Sequence, residues 1–195
     1  MNSVIKNIVI KKSIAIMVLL GFFGGCVGVD PQGRGYSMAI PMSMINSALA
    51  DNFPVSQKVS YGMVSGLVNI EDPTILGKSG SDKLGVGTAF KFTNMFIPNG
   101  IVGKINLASG VRYDAKSKNL FLANPMVNEL KFQNFSMAKY LTAEMRNAIG
   151  LVIANAVAKK PIYNINKSST LSSMGSGLVK GIDVRNGQVF VTFGF

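Results

Sequence analysis

No histidine and no tryptophan occur among the 195 residues, and there is a single cysteine. Without imidazole, a Ser-His-Asp relay cannot be assembled and no ordinary side chain titrates near neutral pH. One cysteine closes no disulfide and builds no thiolate cage, so zinc and iron sites lack their usual ligands. Carboxylates are scarce as well, 9 against 20 lysines and arginines. Asp51, Glu71, Asp72, Asp82 and Asp114 fall where the chain reads as turns or helix ends, and solvation and capping account for them there. Gly77, Lys78 and Ser79 echo the end of a phosphate-binding loop, but the position five residues before Gly77 is Asp72, not glycine. No serine carries the flanking glycines of a nucleophile elbow. The sequence therefore points away from an enzyme and calls for no cofactor.

The positive charge and the cysteine are placed informatively. Lys6, Lys11 and Lys12 precede Ser13–Phe23, an uncharged apolar run of signal-peptide length, and Gly24 and Gly25 lead directly to Cys26. Small residues before the only cysteine resemble a bacterial lipobox, in which the signal is cut before the cysteine and that residue carries lipid. Residues 1–25 are thus expected to be a lipoprotein signal peptide and 26–35 the lipidated Cys26 with a short flexible tether. Residues 36–195 form a single domain. The rival is an uncleaved anchor, since Ser13–Val29 is a run of 17 uncharged residues, at the short limit for a membrane span. Val27, not aspartate, follows the cysteine, which favours the outer over the inner membrane. Removing three lysines from 20 basic residues leaves 17 against 9 acidic, a balance of +8. That charge suits either a solvated surface or attraction to anionic headgroups. Export takes the chain away from nucleic acid, so phenylalanines interleaved with basic residues read as a half-buried sheet and not as a stacking platform.

Met137–Lys160 reads as one long amphipathic helix, about 35 Å at 1.5 Å per residue, closed by Pro161. Its apolar stripe holds Leu141, Met145, Ala148, Ile149, Val152, Ile153, Ala156 and Val157, with Gly150 on the opposite face. Upstream, Tyr36–Ile40 is a short strand and Pro41–Asn52 a short helix. From Val55 to Leu67 the period becomes two, as in one half-buried strand. In the next strand Leu84, Val86, Thr88, Phe90 and Phe92 face one way, with small residues opposite that allow strong coiling. Pro98–Gly100 reads as a turn, and Ile101–Tyr113 as a long strand. The loop Asp114–Asn119 leads into Leu120–Ala123, and after Pro125 the residues Met126, Leu130 and Phe132 alternate with polar ones. Beyond the long helix, a short strand is expected over Ile162–Ile165 and a short helix over Leu171–Lys180. A hairpin closes the chain, with Asn186-Gly187 as a type I′ turn. An α+β fold follows: a strongly curved antiparallel sheet of four to five strands wrapped around the long helix.

The runs RYDAKSKNLFLANPMVNELKF, KPIYNI and LVKGIDVRNGQVFVTF, with the upstream helix MSMINSALADNF and the lipobox in the same order, resemble the YceB-like bacterial outer-membrane lipoproteins. The resemblance implies a fold similar to half of the bactericidal permeability-increasing protein, the tubular lipid-binding architecture. It brings no assigned function and no catalytic residue, and Cys26 is the one functional position it transfers. Twelve phenylalanines and eleven methionines then admit two readings. In the first, a lipid or acyl chain lies between sheet and long helix, against Val59, Tyr61, Met63, Leu84, Val86, Phe90, Phe92, Leu107, Met145, Ile149 and Ile153. In the second the core is fully packed, and the protein is a structural or assembly factor that contacts another envelope protein.

Overall fold

The computed structural model describes residues 27–62, 64–133, 139, 141–167 and 178–194. In chain order the strands are β1 (Val27–Val29), β2 (Tyr36–Ile40), β3 (Val55–Tyr61), β4 (Val64–Leu76), β5 (Leu84–Asn94), β6 (Ile97–Asp114), β7 (Asn119–Phe132), β8 (Pro161–Asn164), β9 (Val179–Arg185) and β10 (Gln188–Phe193). Helix α1 (Met42–Ala50) follows β2, and helix α2 (Ala143–Ala158) follows β7. The fold is α+β, with two antiparallel sheets in place of the expected one. The larger has six strands in the order β3-β4-β5-β6-β7-β8, and the smaller has four, β1-β2-β10-β9.

Helix α2 packs against β3, at one edge of the large sheet, and also against β7, the fifth strand across. Helix α1 likewise spans β4 and β8. Only a sheet curled about both helices brings such distant strands onto one rod. Side-chain alternation sets which face lies inside: Leu84, Val86, Phe90 and Phe92 on β5 and Ile101, Ile105 and Leu107 on β6 are buried, as are Ile149 and Ile153 on α2. They form one core with Ile40, Val189, Val191 and Phe193 of the small sheet, so the two sheets fold as one body.

The curl has a local cause. Phe90 on β5 lies opposite Gly103 on β6, and a Cβ on Gly103 would sit 2.4 Å from the Phe90 ring. The ring covers the glycine and lets neighbouring backbones bend together.

Several expectations need correction. Helix α2 has 16 residues, about 24 Å. It starts at Ala143 because Thr142 adopts extended backbone and its hydroxyl accepts a hydrogen bond from the Met145 N–H (3.2 Å). Gly150, placed on the outer face by the 3.6-residue period, is buried where the helix approaches Val127 of β7. The single strand expected from Val55 to Leu67 is two, β3 and β4, folded back at Gly62 so that Tyr61 pairs with Val64. Glu71-Asp72-Pro73 does not end β4. The ladder shifts register between Glu71 and Thr74, with Asp72 at φ 46°, a bulge that tolerates proline. Asn124 (φ 48°) and Pro125 similarly bend β7 without ending it, and Met126, expected inside, is half exposed. The tether is not slack: β1 pairs with β2, and the turn after it is tied to the small sheet. The expected C-terminal hairpin is present, with Asn186 and Gly187 at φ 50° and 70°. The helix expected over Leu171–Lys180 lies largely outside the described residues, and its last two positions belong to β9.

Candidate functional site

At one end of the large sheet the β3–β4 turn, the β5–β6 turn and the first turn of α2 surround a cleft of about 490 Å³. Its walls are mostly apolar: Val64, Ile97, Leu141 and Met145 line it, with Tyr61 and Phe96 beside them. Three polar side chains complete the lining, Asn94, Thr142 and Glu144. Each already serves local structure. Asn94 Oδ1 accepts hydrogen bonds from the N–H groups of Phe96 (3.0 Å) and Ile97 (2.8 Å), closing the hairpin. Thr142 caps the helix. The Glu144 carboxyl is held below its ordinary value by its own backbone N–H and by Thr142, so it stands as an anion at the positive end of the helix.

The turn between β5 and β6 is not where the sequence placed it. Asn94 pairs with Ile97 and Phe92 with Ile101, so Pro98-Asn99-Gly100 bulges out of the start of β6, and Met95 and Phe96 make the turn. These two side chains are 83% and 71% exposed. Sequence reasoning passed over them; the signal available was an apolar pair directly before a Pro-Asn-Gly run.

Of the eleven residues expected to line an apolar groove, Tyr61 and Met145 border the cleft. Val59, Leu84, Val86, Phe90, Phe92, Leu107, Ile149 and Ile153 are buried in the core, as is Met145. Met63 and Cys26 lie outside the described residues. A second hollow, between α1 and β8, is larger at about 670 Å³, but its amides are spent on structure. Asn52 Nδ2 donates to the carbonyls of Ala48 and Pro161, and Asn164 Nδ2 donates to Asn119 Oδ1.

The other residue missed by sequence reasoning is Asp30. It is 3% exposed, beneath the small sheet. Arg34 Nε meets its carboxylate at 2.9 Å, Ser37 and Thr192 donate to it, and Arg185 stands 3.7 Å away. Arg34 also pairs with Asp183. Hydrogen bonding from Arg34 holds the Asp30 carboxyl far below the usual carboxylate range, against the opposing effect of burial. Its role is structural: it locks β1 and the following turn onto β2, β9 and β10.

Among the described residues no group of three or more acidic, cysteine or histidine side chains could hold a metal ion, and no helix is long and apolar enough to cross a membrane. No curated protein matches the sequence. A family model described as "Protein of unknown function (DUF1439)" matches residues 42–188. That span takes in both helices, the whole six-stranded sheet and the cleft, and leaves out β1, β2 and most of β10. The chain belongs to this family of proteins of unknown function.

Proposed function

We propose that the protein is a lipid-anchored, periplasm-facing binder of an apolar chain, a lipid or fatty acyl group, and acts without catalysis. The observation that carries this reading is the end cleft: an apolar hollow within the size range of small-molecule sites, about 300–1,000 Å³, opening beside a curled sheet whose interior is otherwise filled. The occupant enters at the N-terminal end of α2; it does not lie along the sheet–helix seam. The signal-like leader and the resemblance to YceB-like outer-membrane lipoproteins support an anchor at Cys26 in the outer membrane. Because β1 begins at Val27, such an anchor would hold the small sheet close to the bilayer with little slack.

Native mass spectrometry and solvent extraction of residues 27–195 test for co-purified lipid, and a fluorescent fatty acid tests uptake. Val64→Trp fills the cleft from β4 and is expected to weaken fatty-acid binding by about tenfold or more, since a chain excluded from the cleft loses its apolar burial. Leu151→Trp, on the exposed side of α2, should leave binding unchanged. A bare chain that takes up no fatty acid would sink the proposal.

The dense packing of Leu84, Val86, Phe90, Phe92 and Leu107 favours a second reading, a structural or assembly factor of the envelope that acts through contacts with another protein. Failure of both ligand assays, with a stable fold, would leave that one standing.

A further inference from the structure

We infer that the β5–β6 turn and the outer face of the large sheet behind it form a docking surface for a bilayer bearing anionic headgroups, separate from any lipid on Cys26. Met95 and Phe96 project from the tip into solvent, where polar or small residues are the rule for tight turns. Part of the turn's backbone is already satisfied within the protein, because Asn94 Oδ1 accepts from the N–H groups of Phe96 and Ile97. Behind the tip, strand register places Lys58, Lys91, Lys104 and Lys131 on one outward face. Lys58 is opposite Leu67, Lys91 lies between Asn69 and Val102, and Lys104 faces Lys131 directly. All four lysines are exposed.

Like charges facing across a ladder cost stability, and an anionic surface removes that cost. The same face also carries the carboxylates Glu71 and Glu129, with Asp72 exposed at the bulge beside Glu71. Glu129 pairs with Lys131 at 2.7 Å, and Glu71 accepts from the Asn69 side chain. The other three lysines have no ion pair among the described residues. The aliphatic stem of Lys91 lies along Gly100, just behind the apolar tip, as expected of a side chain that reaches back to headgroups while its neighbours enter hydrocarbon. Leu67 and Val102, both exposed, extend the apolar contact between the lysines.

This surface goes beyond the cleft reading but shares Phe96 with the cleft wall, and the two are told apart because fatty-acid uptake is measured without vesicles and docking with them. Because the chain has no tryptophan, Phe96→Trp supplies a single fluorescent reporter. Residues 27–195 hold every described element and the one core, so this body is used without its leader. On phosphatidylglycerol vesicles the reporter's emission should shift to the blue and be quenched by brominated acyl chains. High salt should reverse both changes, and pure phosphatidylcholine should give little of either. The double change Met95→Asp with Phe96→Asp should lower vesicle binding by about tenfold or more at an unchanged melting temperature. Tip variants that bind as tightly as the parent would overturn the inference, as would an unshifted, unquenched reporter. Failure to bind anionic vesicles at all would do the same and point to a protein partner.

Discussion

Phe90→Ala is expected to remove about 3–5 kcal/mol of stability, lowering the melting temperature on the order of 10 °C for a chain of this size. The side chain is 2% exposed and meets the Phe132 ring edge to face at a centroid distance of 5.6 Å. Its loss leaves a cavity under the curl that main-chain contacts around Gly103 prevent from collapsing. The partner substitution Gly103→Ala tests the same junction from the other side. Its new methyl would sit 2.4 Å from the Phe90 ring and 2.5 Å from the Lys131 carbonyl oxygen. The ring can move but the carbonyl belongs to the ladder, so Gly103→Ala should cost about 1–3 kcal/mol or more. Combining it with Phe90→Leu should recover only the ring's share. Thermal melts of the three variants decide the matter. A Phe90→Ala protein that melts with the parent would mean that the sheet–helix interior is loosely filled. The acyl chain would then belong along the seam rather than in the end cleft.

Those residues also mark how far the sequence could be read. The inward face of β5 was legible because Leu84, Val86, Phe90 and Phe92 keep strict alternation over an unbroken strand, and all are buried. The same alternation concealed the β3–β4 reversal. Apolar residues at odd positions continue in the sequence as far as Leu67, so two strands read as one, but Tyr61 pairs with Val64 across a very short turn that moves the inward face to Val68 and Ile70 and leaves Leu67 exposed. Turn-forming residues misled in the opposite way at Asp72-Pro73, Pro125 and Pro98-Asn99-Gly100. Long ladders absorbed each of these as a bulge or bend, and the count reaches six because one expected strand is β3 and β4 and because β8 joins the sheet beside β7. Helix α2 kept its buried stripe and begins at Ala143 because Thr142 is extended and caps it, while Met137, Ala138 and Tyr140 of the expected helix lie outside the described residues. The small sheet was out of reach, because β2 lies beside β10 through pairs such as Met38 with Val191, which no local pattern reports. For the same reason the cleft was half legible. Tyr61 and Met145 follow from period alone, whereas Asn94, Phe96 and Ile97 reach it only through a turn that the sequence put elsewhere.

Asp30→Asn should produce the other large effect. From the sequence the residue belongs to a tether; in the fold its carboxylate is the common partner of Arg34, Ser37 and Thr192, with Arg185 at 3.7 Å. Removing the charge leaves two guanidinium groups facing a neutral amide in a largely enclosed site, and truncation of one partner of a buried pair is among the costlier single changes. The melting temperature should fall on the order of 10 °C, with β1 and the following turn exchanging amide hydrogens first. The pH dependence follows from the direction of the shift. The folded-state carboxyl lies well below its ordinary 3.8, so the unfolded chain binds the proton more readily. The stabilisation is therefore fully present above about pH 5 and declines as pH falls through the ordinary carboxylate range toward the lower folded value. Asp114, Glu129 and Glu144, whose carboxyls are also lowered, add to the same acid limb. Asp30→Asn should flatten that limb without abolishing it, because these three remain. A variant whose acid limb matched the parent's would show that the charge on Asp30 does not hold the small sheet, and that the arginines are satisfied by Asp183 and solvent alone.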